Sequence, residues 1–164
     1  MNPIEWHLLL NHLPIIVTLV GVVLLIYSLV VRNKSIIKAS LSIFIFTALI
    51  TIPVFLTGED AEHEVKGLAG IRSDSIEEHE EFAAQALWGM ELLGIISLVT
   101  LILLKKAGKR FSRPFILVSL FLSLLVAALM IRTGHFGGMI RHSEMIENKP
   151  LPTDDTYKSA MQKQ

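Results

Sequence analysis

The sequence predicts an all-α integral membrane protein, a four-helix up-down bundle with both termini on the non-cytoplasmic side. Three observations predict it. Apolar residues make up 52% of the 164-residue chain and gather into four long runs, those runs show no alternation of polarity, and basic residues crowd into two of the three connections. An apolar share of this size exceeds what a soluble globular domain usually carries.

The runs cover residues 13–31, 36–57, 82–104 and 114–132. Each is near the roughly 20 residues that a helix needs to cross about 30 Å of hydrocarbon. Barrel strands would need shorter stretches of alternating polarity, which these Leu, Ile and Val runs do not offer. Ahead of the first run, Met1 to His7 has no basic segment of the kind that opens a signal peptide, so this span is expected to be retained. Trp6 suits an interfacial belt position. Pro14 would fall about one turn into a helix begun near Ile4, freeing the Leu10 carbonyl and kinking the chain; a short interfacial helix before the span is the other reading.

The first connection carries Arg32, Lys34 and Lys38, and the third carries Lys105, Lys106, Lys109, Arg110 and Arg113, with no acid in either. The middle connection, residues 58–81, holds nine acids against Lys66 and Arg72. Basic residues near span ends stay cytoplasmic, so the short loops are expected inside and the acidic loop and both termini outside. Short loops also make consecutive helices antiparallel neighbours. Ser73 or Asp74 would cap the third span's helix, with Glu77 completing the cap. Residues 1–147 thus form one transmembrane domain, and residues 148–164, polar with Pro150 and Pro152, a loose tail.

A net charge of zero argues against a nucleic-acid partner. The lack of cysteine removes disulfides, thiolate metal sites, iron–sulfur clusters and covalently attached haem. No nucleophile triad, phosphate-binding loop or His-Glu-x-x-His pattern is present, so a standalone enzyme has little support.

Six histidines remain: His7, His12, His63, His79, His135 and His142. The topology puts all of them at or beyond the outer ends of the spans, at least one per helix. Imidazole is the commonest metal ligand and a frequent haem axial ligand, so convergence from four helices reads as a site, against the plainer reading of tolerated interfacial polar residues. Small or polar residues at helical spacing mark inward stripes: Asn11, Pro14, Thr18, Gly21, Leu25, Ser28; then His79, Ala83, Ala86, Met90, Gly94, Ser97; then Ser119, Ser123, Ala127, Met130, Gly134. Such stripes serve close helix packing in lipid, or leave room for a flat macrocycle with Met90 and Met130 against its faces.

Glu91 falls near the bilayer centre, where an ionisable group is costly and a functional candidate unless it is protonated for packing; Thr18 and Thr51 are its candidate partners. Arg132, beside Gly134, Gly137 and Gly138, would snorkel or neutralise a carboxylate such as a haem propionate.

The segments His7-Leu8-Leu9-Leu10-Asn11-His12-Leu13-Pro14, Thr57-Gly58-Glu59-Asp60-Ala61-Glu62, Glu78-His79-Glu80 and Thr133-Gly134-His135-Phe136-Gly137-Gly138 together resemble the bacterial four-span membrane proteins catalogued as domain of unknown function 2231. The matched positions are His7, His12, His79, Gly134, Gly137 and Gly138. His135 is an added feature, and Leu8 stands where family members often have proline. The resemblance implies a haem-associated respiratory context, since some members are fused to cytochrome domains.

The leading expectation is a b-type haem protein that passes electrons between a quinone or a cytochrome or respiratory subunit and an external carrier. Diagonal pairing in the bundle would give His12 with His79 for one haem and His63 with His135 for a second, with His7 and Arg132 nearby. One rival is a non-haem zinc, copper or iron site that adds Glu62, Glu78 and Glu80 to the imidazoles. Another is an accessory subunit that only packs in a larger membrane complex, as a homo- or hetero-oligomer in the lipid bilayer.

Overall fold

The computed structural model describes residues 3–65, 73–106 and 108–141. These residues are helical throughout apart from two tight corners: α1 Pro3–Leu10, α2 His12–Val30, α3 Lys34–Val65, α4 Ser73–Lys106 and α5 Gly108–Arg141. Four stretches, Glu5–Val30, Lys34–Glu62, Ser75–Lys106 and Ser112–Ile140, are long and apolar enough to cross a membrane. The middle of the acidic connection, His142 and the tail lie outside the described residues, as does the cap of α4.

The first corner follows from Pro14. It has no N–H to give to the Leu10 carbonyl, so the helix is interrupted at Asn11, whose own N–H still reaches the His7 carbonyl at 2.8 Å. Asn11 itself keeps helical dihedrals, φ −60 and ψ −28, and α1 packs along α3 as α2 does, so α1 is a short helix set off from α2 by an interrupted bond ladder.

The second corner, between α2 and α3, is built from three residues. The Asn33 N–H bonds back to the Ser28 carbonyl at 3.1 Å, closing α2, and Arg32 sits between in the left-handed region at φ 53. The Asn33 side-chain oxygen then accepts the N–H groups of Ser35 and Ile36 at 2.9 and 3.3 Å, opening α3. Asn33→Ala is expected to cost about 1 kcal/mol, read from denaturant or thermal unfolding in detergent, because it leaves the first-turn donors without an acceptor.

Contacts run from α2 to α3, α3 to α4, α4 to α5 and back from α5 to α2, closing a ring of four helices. Inside lie Leu25, Leu41, Phe44, Met90, Leu93 and Val126, all fully buried. Outside lie Ile16, Val23, Leu49, Trp88, Ile95 and Phe121, all large, apolar and exposed. An apolar exterior of this extent suits lipid. Among the described residues the fully buried polar side chains are hydroxyls, and several return to their own helix: Ser40 donates to Ile36, Thr47 to Ile43, Thr100 to Ile96 and Ser119 to Phe115, each at 2.7–2.9 Å. These four satisfy themselves without tying helices together, whereas Thr18 reaches across to Met130 and the Ser97 hydroxyl has no hydrogen-bond partner.

Close approach is left to small residues. A Cβ on Gly94 would stand 2.7 Å from the Ala48 Cβ, and one on Gly89 3.0 Å from Val126. The stripe read on the first span is the buried face of α2: Pro14, Thr18, Gly21, Leu25 and Ser28 are all buried.

Candidate functional site

At the end of the bundle where α2 and α4 begin and α3 and α5 finish, a cavity of about 240 Å³ opens among His7, Asn11, His12, Thr51, His79 and Met130. Its walls are mostly apolar, with Leu8, Pro14, Ile15, Val54, Phe55, Ala83 and Ala86, and the backbone of Gly134, Gly137 and Gly138 completes one side.

Two imidazoles meet there. The rings of His7 and His79 lie edge to face with centroids 6.2 Å apart. The His7 Nδ1 is 3.3 Å from the Val54 carbonyl of α3, and the His79 Nδ1 is 2.9 Å from the Thr133 carbonyl of α5. A carbonyl only accepts, so the Nδ1–H of each ring is the donor, and in the neutral ring Nε2 keeps its lone pair. This is the outer-shell bond that metal-ligating histidines usually make.

The remaining candidates are placed differently. His12 lines the cavity but is exposed, and its Nδ1 pairs with the Asn11 side-chain oxygen rather than with anything on α4. The ring that meets His79 is therefore that of His7 and not of His12. His135 is exposed, with its ring edge against Phe136 at 5.5 Å. The backbone of His63 belongs to α3, while its side chain lies outside the described residues, as does His142.

Met130 lines the cavity, and its sulfur accepts a hydrogen bond from the Thr18 hydroxyl at 3.4 Å, a link from α2 to α5. Met90 packs in the apolar core and is not part of the cavity wall. The Arg132 guanidinium lies 4.8 Å from the centre of the Phe82 ring, which stacks on Phe136 at 5.5 Å, so this cation rests on an aromatic pair outside the cavity wall.

Glu91 is half-buried on α4, and its Oε1 is buried with no hydrogen-bond partner. Neither threonine considered for it donates there: Thr18 bonds Met130, and Thr51 bonds the Thr47 carbonyl.

Among the described residues no three His, Asp or Glu side chains come close enough to hold a metal ion by themselves. Of the residues that the sequence singles out, His79 and the three glycines of α5 line the cavity, whereas the contacts of Val54, Gly58 and Thr133 were not read from it. Gly58 and Thr133 were in the matched segments; a main-chain acceptor leaves no mark in sequence. Comparison of the chain with family models, with curated proteins and with solved structures finds no match.

Proposed function

We propose that this chain is an electron-transfer protein of the bacterial inner membrane, an up-down bundle whose cavity faces outward and holds a b-type haem between His7 and His79. The observation that carries the reading is the pair of rings from different helices, each with Nδ1 committed to a carbonyl and 6.2 Å between centroids. His7 and His79 are the residues that would hold such a group, each through its Nε2. The basic corners support the topology, and the resemblance to the four-span family supports the respiratory context.

Iron held there would supply one-electron exchange with a quinone or a cytochrome subunit. The chain's own part is to fix both rings through Val54 and Thr133, to exclude water with Leu8, Ile15, Val54 and Phe55, and to seat the group over Met130. His12 and Asn11 stand at the same cavity as polar contacts.

A second reading, of a mononuclear copper ion, is favoured by Met130. A thioether and two imidazoles on one cavity are a donor set that Cu(I) accepts. The absorption spectrum of the purified membrane protein, oxidised and dithionite-reduced, decides between them. A Soret band with sharp reduced bands is expected; no such band, with none gained on adding haemin, sinks the haem reading, and copper found by elemental analysis without porphyrin selects the second.

A further inference from the structure

The two cavity histidines are seated in the same way on different helices. His7 lies on α3 with Nδ1 on the Val54 carbonyl, and its ring passes the bare Cα of Gly58, four residues further on, where a Cβ would come within 3.0 Å of Cε1 and 3.2 Å of Nδ1. His79 lies on α5 with Nδ1 on the Thr133 carbonyl, and its ring passes Gly137, again four residues further on, where a Cβ would stand 3.1 Å from Cε1 and 3.3 Å from Nδ1.

Residues four apart share one helix face. Each seat is therefore one carbonyl and, a turn beyond it, the gap that a missing side chain leaves. A helical carbonyl retains a second lone pair after accepting its own helix bond, which makes it able to take the ring N–H as well. At Val54 that capacity is shared further, since the Thr57 hydroxyl also donates to it at 2.8 Å. The cavity side of α5 also shows that a glycine there is not crowded by default: a Cβ on Gly138 would meet nothing within 4 Å.

The geometry points to Gly58 and Gly137 as a matched pair of positioning residues that admit an imidazole against the helix and so hold His7 and His79 in the Nδ1–H tautomer, each presenting Nε2 to one metal centre with two like open positions. The inference rests on the reading of these imidazoles as ligands, but the tautomer is a property of the chain before anything binds. Without the seat, a ring in contact with water is free to carry its proton on either nitrogen, and only one of the two forms leaves Nε2 able to coordinate.

The test uses the full chain with ¹⁵N-labelled histidine rings in phospholipid bilayers, without metal or porphyrin, at a pH about two units above the ordinary imidazole pKa of about 6.5. Nitrogen NMR is expected to show, among its signals, two from rings protonated at Nδ1 and bare at Nε2 that are assigned by loss, one in His7→Asn and the other in His79→Asn. Gly137→Val should move the His79 signals to a mixture of tautomers and leave those of His7 in place, and Gly58→Val should do the converse. Gly137→Ala should retain most of the Nδ1–H signal, because a shift of a few tenths of an ångström accommodates it, and Gly138→Val should change neither ring. Protonation at Nε2 of either ring in the unaltered protein would overturn the inference, as would a His79 signal unmoved by Gly137→Val. A missing Soret band leaves these signals where they are, so failure of the haem reading and failure of this one are told apart.

Discussion

On the proposed haem reading, His79→Ala and His7→Ala should each abolish the six-coordinate low-spin spectrum that reading expects on adding haemin, whereas His135→Ala should leave it intact. The expectation follows from the geometry of the two rings: only this pair of described histidines meets, at 6.2 Å, and each has its Nδ1 bound to a different helix. Loss of an outer-shell partner costs a metal site roughly 10–100-fold in affinity, and loss of the ligand itself should exceed that. His135 is exposed and packs on Phe136, which places it off the cavity wall. The measurement is a haemin titration followed by absorbance for the three variants side by side. A His79→Ala protein with unchanged spectrum and affinity would remove that ring from the site. Retention by His7→Ala with loss in His12→Ala would restore the pairing that the sequence alone suggested.

The second large effect is on the bundle. Gly94→Ala is expected to destabilise it by about 1–3 kcal/mol, because the new Cβ would meet the Ala48 Cβ at 2.7 Å. Both atoms are fixed to helix backbones, so no rotamer relieves the clash and α3 and α4 must part. That separation would loosen the packing of Phe44 and Leu93, both fully buried. Unfolding in mixed detergent micelles measures it, and the double variant Gly94→Ala with Ala48→Gly should recover most of the loss, giving a coupling energy of opposite sign. Gly138→Ala is the control: with open space around its Cβ it should be neutral or slightly stabilising, since alanine is the better helix former. Equal stability of Gly94→Ala and the unaltered protein would mean that the close α3–α4 approach is not what holds the pair.

The spans and their inward faces were legible because both rest on local rules. Pro14, Thr18, Gly21, Leu25 and Ser28 follow steps of three and four residues, and helical periodicity converts that spacing directly into the buried face of α2. The end of the bundle carrying the histidines was legible from the basic corners and the loop charges. The pairing of rings was not. His7 and His12 are five residues apart, about 140° around a helix, so the choice between them turns on which face α1 lays on α3, and that is set by tertiary packing. The seats of the rings were hidden for another reason. Their acceptors are the main-chain oxygens of Val54 and Thr133, and every residue has one. Glu91 was found by its charge, but its surroundings depend on hydroxyls that were free to bond elsewhere and did so.

The three-residue corner at Arg32 bears on biogenesis. With α2 closed by the Asn33 N–H and α3 opened by the same residue's side chain, the two rods share a hinge too tight to let one wait at the water boundary while the other is threaded. They should go into the bilayer together as a preformed helical hairpin, with the guanidinium at its tip left behind on the side it started from.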